Sequence, residues 1–244
     1  MIDMERFLEN KVCIITGAAQ GIGKSIAERF ASDGALVYAC DRVEGVMDEW
    51  AKACSEKYGT RVCPLYFDVT DAVAVKSAFM SVFKQERRID VLVNNAGVLG
   101  ASMPNATEEA FDKVIDTNLK GVFFLSQLFG GYLKANKVEG NILNVGSSSC
   151  LRPATSAYTL SKWGIRGLTL GLAKSLAPYG VTVNGIAPGP TATPMLLKDG
   201  QGNITNKGNP IGRYALPEEI ANMAVVLVSP MGRTIVGDMV YMTG

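Results

Sequence analysis

A strand, a glycine-rich turn and a helix follow one another near the start of the chain, and this order constrains the fold more than any other feature. Residues 11–16 have an apolar centre without alternation, which is typical of a parallel strand covered on both faces. Apolar side chains recur at helical spacing from about 21 to 33. A glycine-rich turn often binds no ligand. Between a buried strand and a helix, however, it predicts a site for a pyrophosphate at the helix N-terminus. Its glycines are Gly17, Gly21 and Gly23.

An acidic residue ends the second predicted strand, 35–40. Asp41 lies about 20 residues after the glycine turn, where dinucleotide-binding folds place an acid that binds ribose hydroxyls. Because a 2′-phosphate there would meet a like charge, we expect NAD to be preferred and NADP to be less favoured. Arg42 is the counterargument, since an arginine at this point can bind that phosphate or stack on adenine. Asp41 could also simply end the strand as a turn residue.

Strand and helix patterns alternate along the rest of the chain, which predicts an α/β fold. We expect residues 1–244 to form one doubly wound Rossmann-type domain, with a seven-stranded parallel sheet and helices on both faces. The loop 190–210 has the length and composition of a lid. Thr70 is the predicted cap of the third helix. Further strands are predicted over 61–67, 89–93, 142–145, 181–187 and 238–243, and further helices over 43–58, 70–87, 108–136, 156–176 and from 217 onward.

Composition excludes several classes of protein. There is no histidine, which removes histidine-based triads and histidine-ligated zinc, and we expect no metal. The net charge of +1 gives no basic excess for nucleic acid or for an anionic membrane. The five cysteines form no Cys-x-x-Cys pair and indicate reduced thiols, and no apolar run suits a signal or a membrane span. We therefore expect a cytoplasmic protein.

Two side chains on the predicted helix 156–176 suggest proton transfer. Tyr158 and Lys162 are four residues apart, so they lie on the same helical face. A nearby positive charge lowers the pKa of a tyrosine, about 10 when unperturbed, and suits it to exchange a proton with an alcohol or ketone. The hydroxyl of Ser147, just upstream, could hold the substrate oxygen. Taken alone, such a pair is more often a surface lysine beside a packed tyrosine.

The motifs as an ordered set resemble the classical short-chain dehydrogenases/reductases over essentially the full length of the chain. The resemblance implies that Tyr158 is the general acid/base, and that Lys162 lowers its pKa and binds the nicotinamide ribose. It implies that Ser147 binds the substrate oxygen and that Asn118 supports a water chain. The set consists of Thr16-Gly17-x-x-x-Gly21-x-Gly23, Asp68-Val69, Asn94-Asn95-Ala96-Gly97, Asn118, Ser147, Tyr158-x-x-x-Lys162 and Pro188-Gly189.

The resemblance also implies a binding site for NAD(H) and a pocket for a small-molecule substrate. The cofactor site would comprise Gly17, Gln20, Gly21, Ile22, Gly23, Asp41, Arg42, Asp68, Val69, Asn95, Ala96, Gly97, Tyr158, Lys162, Pro188, Gly189, Thr191 and Thr193. Substrate contacts would come from Ser147, Ser148, Cys150, Leu151, Met195 and Leu196, with Val98, Leu99 and Met103 nearby. Ser148 and Ser149 compete with Ser147, because its spacing to the tyrosine is slightly short for the family.

These features predict an NAD(H)-dependent oxidoreductase that interconverts a secondary alcohol and a ketone. Because the expected pocket residues are mostly apolar, with only Arg152 nearby, we favour a neutral, moderately large substrate such as a steroid or cyclic alcohol. Sugars and acyl thioesters remain open. One alternative is a catalytically silent dinucleotide-sensing protein on the same fold. Another is a nucleoside- or methyl-donor-binding enzyme, which would leave the serine, tyrosine and lysine without a role.

The helix 156–176 is apolar nearly all round, which predicts burial on both faces. One face should meet the sheet, and the other needs a partner. The resemblance implies a homodimer or homotetramer built on this helix and the preceding one. Alternatively, a neighbouring helix of the same chain could cover the second face.

Overall fold

A parallel sheet runs through the centre of the protein. The computed structural model describes residues 6–197 and 203–244, and within them seven strands pair in the order β3-β2-β1-β4-β5-β6-β7. The predicted strands and their parallel pairing are confirmed. The order reverses between β1 and β4, where open α/β sheets bind ligands. The strands are β1 Val12–Thr16, β2 Leu36–Asp41, β3 Val62–Tyr66, β4 Val91–Asn94, β5 Asn141–Val145, β6 Thr182–Pro188 and β7 Met239–Met242.

Helices cover both faces of the sheet, as predicted. Residues of α1, α2 and α7 pack in a core on one face, and residues of α3, α5 and α6 pack in a core on the other. Short 3₁₀ turns follow β5, α6 and α7, and a π turn joins α4 to α5. The helices are α1 Gly21–Ser32, α2 Asp48–Tyr58, α3 Ala72–Glu86, α4 Glu108–Ile115, α5 Gly121–Asn136, α6 Ala157–Leu176 and α7 Pro217–Val228.

The central strand β1 explains why the strand pattern lacks polar alternation. Cys13 and Ile15 pack into the core under α1 and α7, while Val12 and Ile14 pack into the core under α3 and α5. Successive side chains point to opposite faces of a strand. Because both faces carry helices, every position of this strand is buried and must be apolar or small.

Two helix starts differ from the prediction. The second helix begins at Asp48 rather than near residue 43, so residues 42–47 form a loop instead. Asp71, not Thr70, caps the third helix: its carboxylate accepts hydrogen bonds from the backbone N–H groups of Val73 and Ala74 at 2.9 and 3.0 Å. The Thr70 hydroxyl donates instead to the Asp68 carboxylate at 2.8 Å, so it is not available as a cap.

The outer face of α6 remains exposed in the described chain. Ala157, Ile165 and Ala173 face inward, but Leu160 and Leu170 are 45% and 51% exposed. The neighbouring α5 also exposes apolar side chains, at Phe123 and Phe124. Full burial of α6 by its own chain is therefore not observed. Separately, none of the helices in the described ranges is long and apolar enough to cross a bilayer.

Candidate active site

A cavity of about 660 Å³ opens at the carboxyl ends of the strands. Its wall extends from the end of β2, across the turn after β1, to the segments that follow β5 and β6. This position matches the switch point of the sheet, so the predicted motifs meet in one place. Most of the predicted cofactor residues line it: Gly17, Gln20, Gly21, Ile22, Asp41, Arg42, Asp68, Val69, Asn95, Ala96, Gly97, Tyr158, Lys162, Pro188, Gly189, Thr191 and Thr193.

The glycine turn brings bare backbone to the cavity wall. Gly17 has a φ of +65°, and a Cβ there would lie 2.8 Å from the Cα of Ala96. A Cβ on Gly23 would overlap the Gly17 carbonyl and the Asn95 side-chain amide. Gly23 therefore does not line the cavity, contrary to its predicted contact; it lets α1 pack closely against the turn.

The first turn of α1 is suited to an anion. Gln20 occupies the N-cap position without a side-chain capping hydrogen bond, and the first turn contains no acidic residue. The N–H groups and the positive end of the helix dipole are thus left for a ligand phosphate. A pyrophosphate fits this cradle, because Gly17 and Gly21 present no side chains to obstruct it.

Asn95 fixes the end of β4 against this turn. Its side-chain amide donates hydrogen bonds to the carbonyl oxygens of Thr16 and Gly17, at 3.0 and 2.9 Å. The backbone N–H groups of Asn95 and Ala96 donate to the Thr16 hydroxyl at 3.0 and 3.2 Å. Two adjacent strand ends are therefore held in register at the cavity floor.

Charged groups cluster at the end of the cavity formed by β2 and β3. One Asp41 oxygen accepts from the Ala19 N–H at 3.2 Å, and the other accepts from the Arg42 N–H at 2.8 Å. The Arg42 guanidinium lies 3.9 Å from the Asp68 carboxylate. Asp41 is thus anchored to the glycine turn, while Arg42 is held toward Asp68, both at the wall where an adenosine ribose is predicted.

Ser147, Tyr158 and Lys162 meet at the other end of the same cavity. The Ser156 hydroxyl caps α6 by accepting from the Thr159 N–H at 3.1 Å, which places Tyr158 and Lys162 on its first turns. The Lys162 ammonium lies 5.6 Å from the centre of the Tyr158 ring and donates to the Val145 carbonyl at 2.9 Å.

The predicted effect of Lys162 on Tyr158 is wrong in this structure. Burial raises the pKa of Tyr158, and the hydrogen bond with Ser147 acts in the opposite direction without outweighing it. Burial also lowers the pKa of Lys162 to about 8. Desolvation dominates because Lys162 is buried and Tyr158 is partly buried, and the ammonium donates to the Val145 carbonyl instead of to the phenol. At neutral pH, Tyr158 is therefore a protonated phenol, the form that can donate a proton to a ketone.

Comparison with known proteins gives the same assignment as the site. A family model described as short chain dehydrogenase matches residues 11–203. The chain belongs to the short-chain dehydrogenase family. It is thus an oxidoreductase of a family that binds nicotinamide dinucleotides.

Individual relatives of this short-chain dehydrogenase carry different activities. A 3-oxoacyl-(acyl-carrier-protein) reductase of Thermotoga maritima is 38% identical, over 97% of this chain and 98% of that protein. An NAD-dependent glycerol dehydrogenase of Listeria innocua is 34% identical, over 99% and 96%. The solved L-sorbose reductase of Gluconobacter frateurii, complexed with NADPH and L-sorbose, is 29% identical with a TM-score of 0.89, covering 99% of this chain and 98% of that one.

Asn118 lies behind the cavity wall and does not line the cavity. It is fully buried in the π turn Asp116–Lys120, and its side-chain oxygen accepts from the Val98 N–H at 2.8 Å. Its amide donates to the Val98 carbonyl at 2.9 Å and to the Ser161 hydroxyl at 3.2 Å. The side chain therefore positions the segment after β4 against α6. Its support of a water chain stays a prediction.

On the substrate side, Ser147, Ser148, Met195 and Leu196 line the cavity as predicted. Among the serines, Ser147 is favoured, because it forms the hydrogen bond that acts on the Tyr158 pKa. Its oxygen accepts from the Ser149 N–H at 3.1 Å and lies 3.1 Å from the Ser149 hydroxyl oxygen.

The predicted substrate contacts of Cys150 and Leu151 are wrong. The 3₁₀ turn Ser148–Leu151 directs Cys150 into the core, where it is fully buried beside Ile165 and Met239. Leu151 is half exposed and lies outside the cavity wall, as does Met103. Ser149 and Arg152, three residues apart across this turn, both line the cavity.

Several lining residues were missed by the motif-based reading. Val43 and Val46 fall in the loop that was predicted as helix, and Phe67 directly precedes the Asp68 motif. Thr117 precedes Asn118 in the π turn. The signal that could have found Phe67 is its place at a strand end, since the carboxyl ends of parallel strands share one edge. The missed residues are Ala19, Cys40, Val43, Val46, Phe67, Thr117, Val145, Gly146, Pro190 and Pro194.

Replacing Lys162 with methionine should stabilise the protein at neutral pH. The pKa of Lys162 is about 8 in the fold and about 10.5 in the unfolded chain, so the fold disfavours the charged form. The difference corresponds to about 3 kcal/mol below pH 8, and loss of the charged hydrogen bond to Val145 offsets about 1.5–3 kcal/mol of it, which leaves a net gain of about 1 kcal/mol. The unfolded state binds more protons between pH 8 and 10.5, so wild-type stability rises with pH there. The advantage of the variant should shrink across that window.

Chemical denaturation without dinucleotide, from pH 7 to pH 10.5, measures this effect. Lys174→Met is the matched control, because Lys174 lies exposed at the end of the same helix. Equal stability changes for both variants, or a difference independent of pH, would contradict the burial argument.

Proposed function

We propose that this short-chain dehydrogenase interconverts a secondary alcohol and a ketone with NAD(H). The observation that carries the proposal is the meeting of Ser147, Tyr158 and Lys162 in one cavity with the glycine cradle. The bound dinucleotide would accept or supply the hydride. The protein's part is to orient the substrate and to move the proton.

The side chains divide this work by position. The Ser147 hydroxyl would hydrogen-bond the substrate oxygen and hold it beside the phenol of Tyr158. During ketone reduction Tyr158 donates its proton to that oxygen, and during alcohol oxidation it receives the proton back. Lys162, with a pKa of about 8, lies beside the ring and can hold positive charge when negative charge forms on the phenol.

A silent dinucleotide-sensing protein is the second candidate, and the same three side chains weigh against it. Binding alone requires the glycine cradle and the ribose contacts, and it gives no reason to place a serine, a tyrosine and a lysine together in the cavity. The names of the relatives include both dehydrogenases and reductases, which supports turnover in either direction.

A nicotinamide assay tests the proposal. The protein is mixed with NAD⁺ or NADP⁺ and a panel of secondary alcohols, and with the reduced cofactors and the matching ketones. Appearance or loss of reduced-nicotinamide absorbance that depends on the substrate is expected. Dinucleotide binding by fluorescence without any turnover across the panel would favour the sensing protein instead.

We expect NAD(H) to be preferred, by about 10- to 100-fold in kcat/KM, and Asp41→Ala to reduce or reverse that preference. The Asp41 carboxylate lines the cavity at the predicted ribose position, where it would bind the hydroxyls and repel a 2′-phosphate. Arg42 is the opposing charge, and it lies toward Asp68. The measurement is kcat/KM for each cofactor in wild type and in both Asp41→Ala and Asp41→Asn. A wild-type preference for NADP(H) would indicate that Arg42, not Asp41, determines the cofactor preference.

Assembly and location follow as further parts of the proposal. We propose a homodimer or homotetramer in which the exposed outer face of α6, with Leu160, Trp163 and Leu170, meets a second copy. Large exposed apolar surface of this kind is uncommon on monomers. We also propose that residues 1–244 act as one domain and that the protein is cytoplasmic, in keeping with its free thiols.

A further inference from the structure

In the part of the chain that the structure describes, five charged side chains line the cavity, and four of them already have partners. Asp41 accepts backbone hydrogen bonds at the glycine turn, and Arg42 lies against Asp68. Lys162 donates to the backbone carbonyl at the end of β5. The fifth is Arg152, whose guanidinium forms no salt bridge and no hydrogen bond with any of the residues 6–197 and 203–244.

The backbone of Arg152 is held rigidly at the substrate end of the cavity. Its N–H donates to the Ser149 carbonyl at 3.0 Å, which closes the 3₁₀ turn after β5. Its carbonyl accepts a hydrogen bond from the Trp163 indole at 3.0 Å, which ties it to α6. The Arg152 side chain therefore projects from a point between Ser147, at the start of the turn, and α6, which carries Tyr158. An exposed arginine on this anchor can reach a substrate held by those two groups.

We propose that Arg152 recognises a carboxylate on the substrate, so that the substrate class is an oxo acid and its hydroxy acid. The inference rests on the proposed function and names its substrate class. A guanidinium binds a carboxylate through two parallel charge-assisted hydrogen bonds, which fix orientation as well as position. With the carboxylate at Arg152 and the carbonyl oxygen at Ser147, the substrate is held at both ends. The apolar Leu99, Met195 and Leu196 would contact the carbon chain between them.

This assignment replaces the sequence-based preference for a neutral substrate. That preference assumed a mostly apolar pocket containing Cys150 and Leu151. The structure removes both from the cavity wall and puts Arg152 in it. The net effect is a substrate end with an added positive charge and two fewer apolar contacts.

Matched pairs of acids and esters test the proposal. Reduction of 2-, 3- and 4-oxopentanoate is compared with reduction of the methyl ester of each. The ester removes the negative charge and adds one methyl group, and the series varies the distance between the carboxyl group and the ketone. For the best pair, wild type should favour the acid in kcat/KM by about tenfold. Arg152→Gln should lower kcat/KM for the acid by about tenfold, mainly through KM, and leave the ester within about twofold. Arg152→Lys should restore part of the loss.

A surface arginine provides the control. Arg87 lies exposed at the end of α3, outside the cavity wall, and Arg87→Gln should change neither series. Esters reduced as well as acids by wild type, or equal losses for both in Arg152→Gln, would overturn the role of Arg152 and leave the proposed function standing. No turnover of either series, or of any other ketone, would instead count against the proposed function and the role of Arg152 with it.

Discussion

Replacing Tyr158 with phenylalanine should lower kcat by about 10²–10⁴-fold while dinucleotide affinity stays within about threefold of wild type. The substitution removes one hydroxyl and keeps the ring, so the cavity wall retains its shape. Burial raises the pKa of Tyr158, which keeps the phenol protonated at neutral pH and makes it the proton donor for ketone reduction. Without it the developing charge on the substrate oxygen has only the Ser147 hydroxyl beside it.

The control for this variant is Tyr179→Phe, because Tyr179 lies exposed after the end of α6 and its ring contacts Lys134 rather than the cavity. Dinucleotide affinity is measured by fluorescence titration and turnover by the nicotinamide assay. Activity of Tyr158→Phe within a few-fold of wild type would remove Tyr158 from proton transfer. Equal loss of affinity and turnover would indicate a structural role instead.

The raised pKa of Tyr158 also indicates a pH profile. The donor form is present at neutral pH and persists above the ordinary titration of a tyrosine, so ketone reduction should not decline where an unperturbed phenol would ionise. Alcohol oxidation requires the deprotonated phenolate of Tyr158 as the base that accepts the proton, so the same raised pKa should disfavour that direction at neutral pH. The two directions thus share one group but differ in their preferred pH.

The sequence was sufficient to predict the sheet and the glycine turn because both depend on local pattern. Val12–Thr16 must be apolar on both faces, since helices cover both sides, and this gives a run without alternation. Gly17 adopts a positive φ, a conformation that glycine tolerates and that a glycine at this point of the turn predicts. Strand ends in a parallel sheet meet at one edge, so the sequence alone could place Asp41, Asn95 and Ser147 along the same edge of the sheet.

Other properties depend on three-dimensional surroundings that spacing does not record. The i, i+4 relation placed Lys162 near Tyr158, but burial sets the direction of the Tyr158 pKa shift, and the Lys162 ammonium donates to a backbone carbonyl instead. Similarly, the order of residues after Ser147 could not tell which side chains face the cavity. In the 3₁₀ turn the Cys150 side chain points into the core, and Arg152, directly after the turn, lines the cavity. The four residues 148–151 show no periodicity of polar and apolar side chains, so their sequence does not predict which of them line the cavity.

Gly23 is the position where a single methyl group should do the most damage to the cofactor site. Its Cβ would overlap the carbonyl oxygen of Gly17 and the side-chain amide of Asn95, and neither can move freely. The carbonyl belongs to the turn that faces the phosphate site, and the amide hydrogen-bonds that same turn to β4. Relief of the clash requires α1 to move away from the turn, which takes its N-terminal N–H groups away from the pyrophosphate.

Gly23→Ala should therefore weaken dinucleotide binding by 100-fold or more and lower the free energy of unfolding by about 1–3 kcal/mol, the usual cost of overpacking. Gly131→Ala is the matched control: Gly131 lies within α5, nothing stands within 4 Å of its added Cβ, and alanine favours a helix by about 1 kcal/mol. Fluorescence titration and denaturation distinguish the two. An affinity for Gly23→Ala close to wild type would mean that α1 tolerates a methyl group at its start, and the tight packing of turn, helix and Asn95 would then not be what shapes the phosphate site.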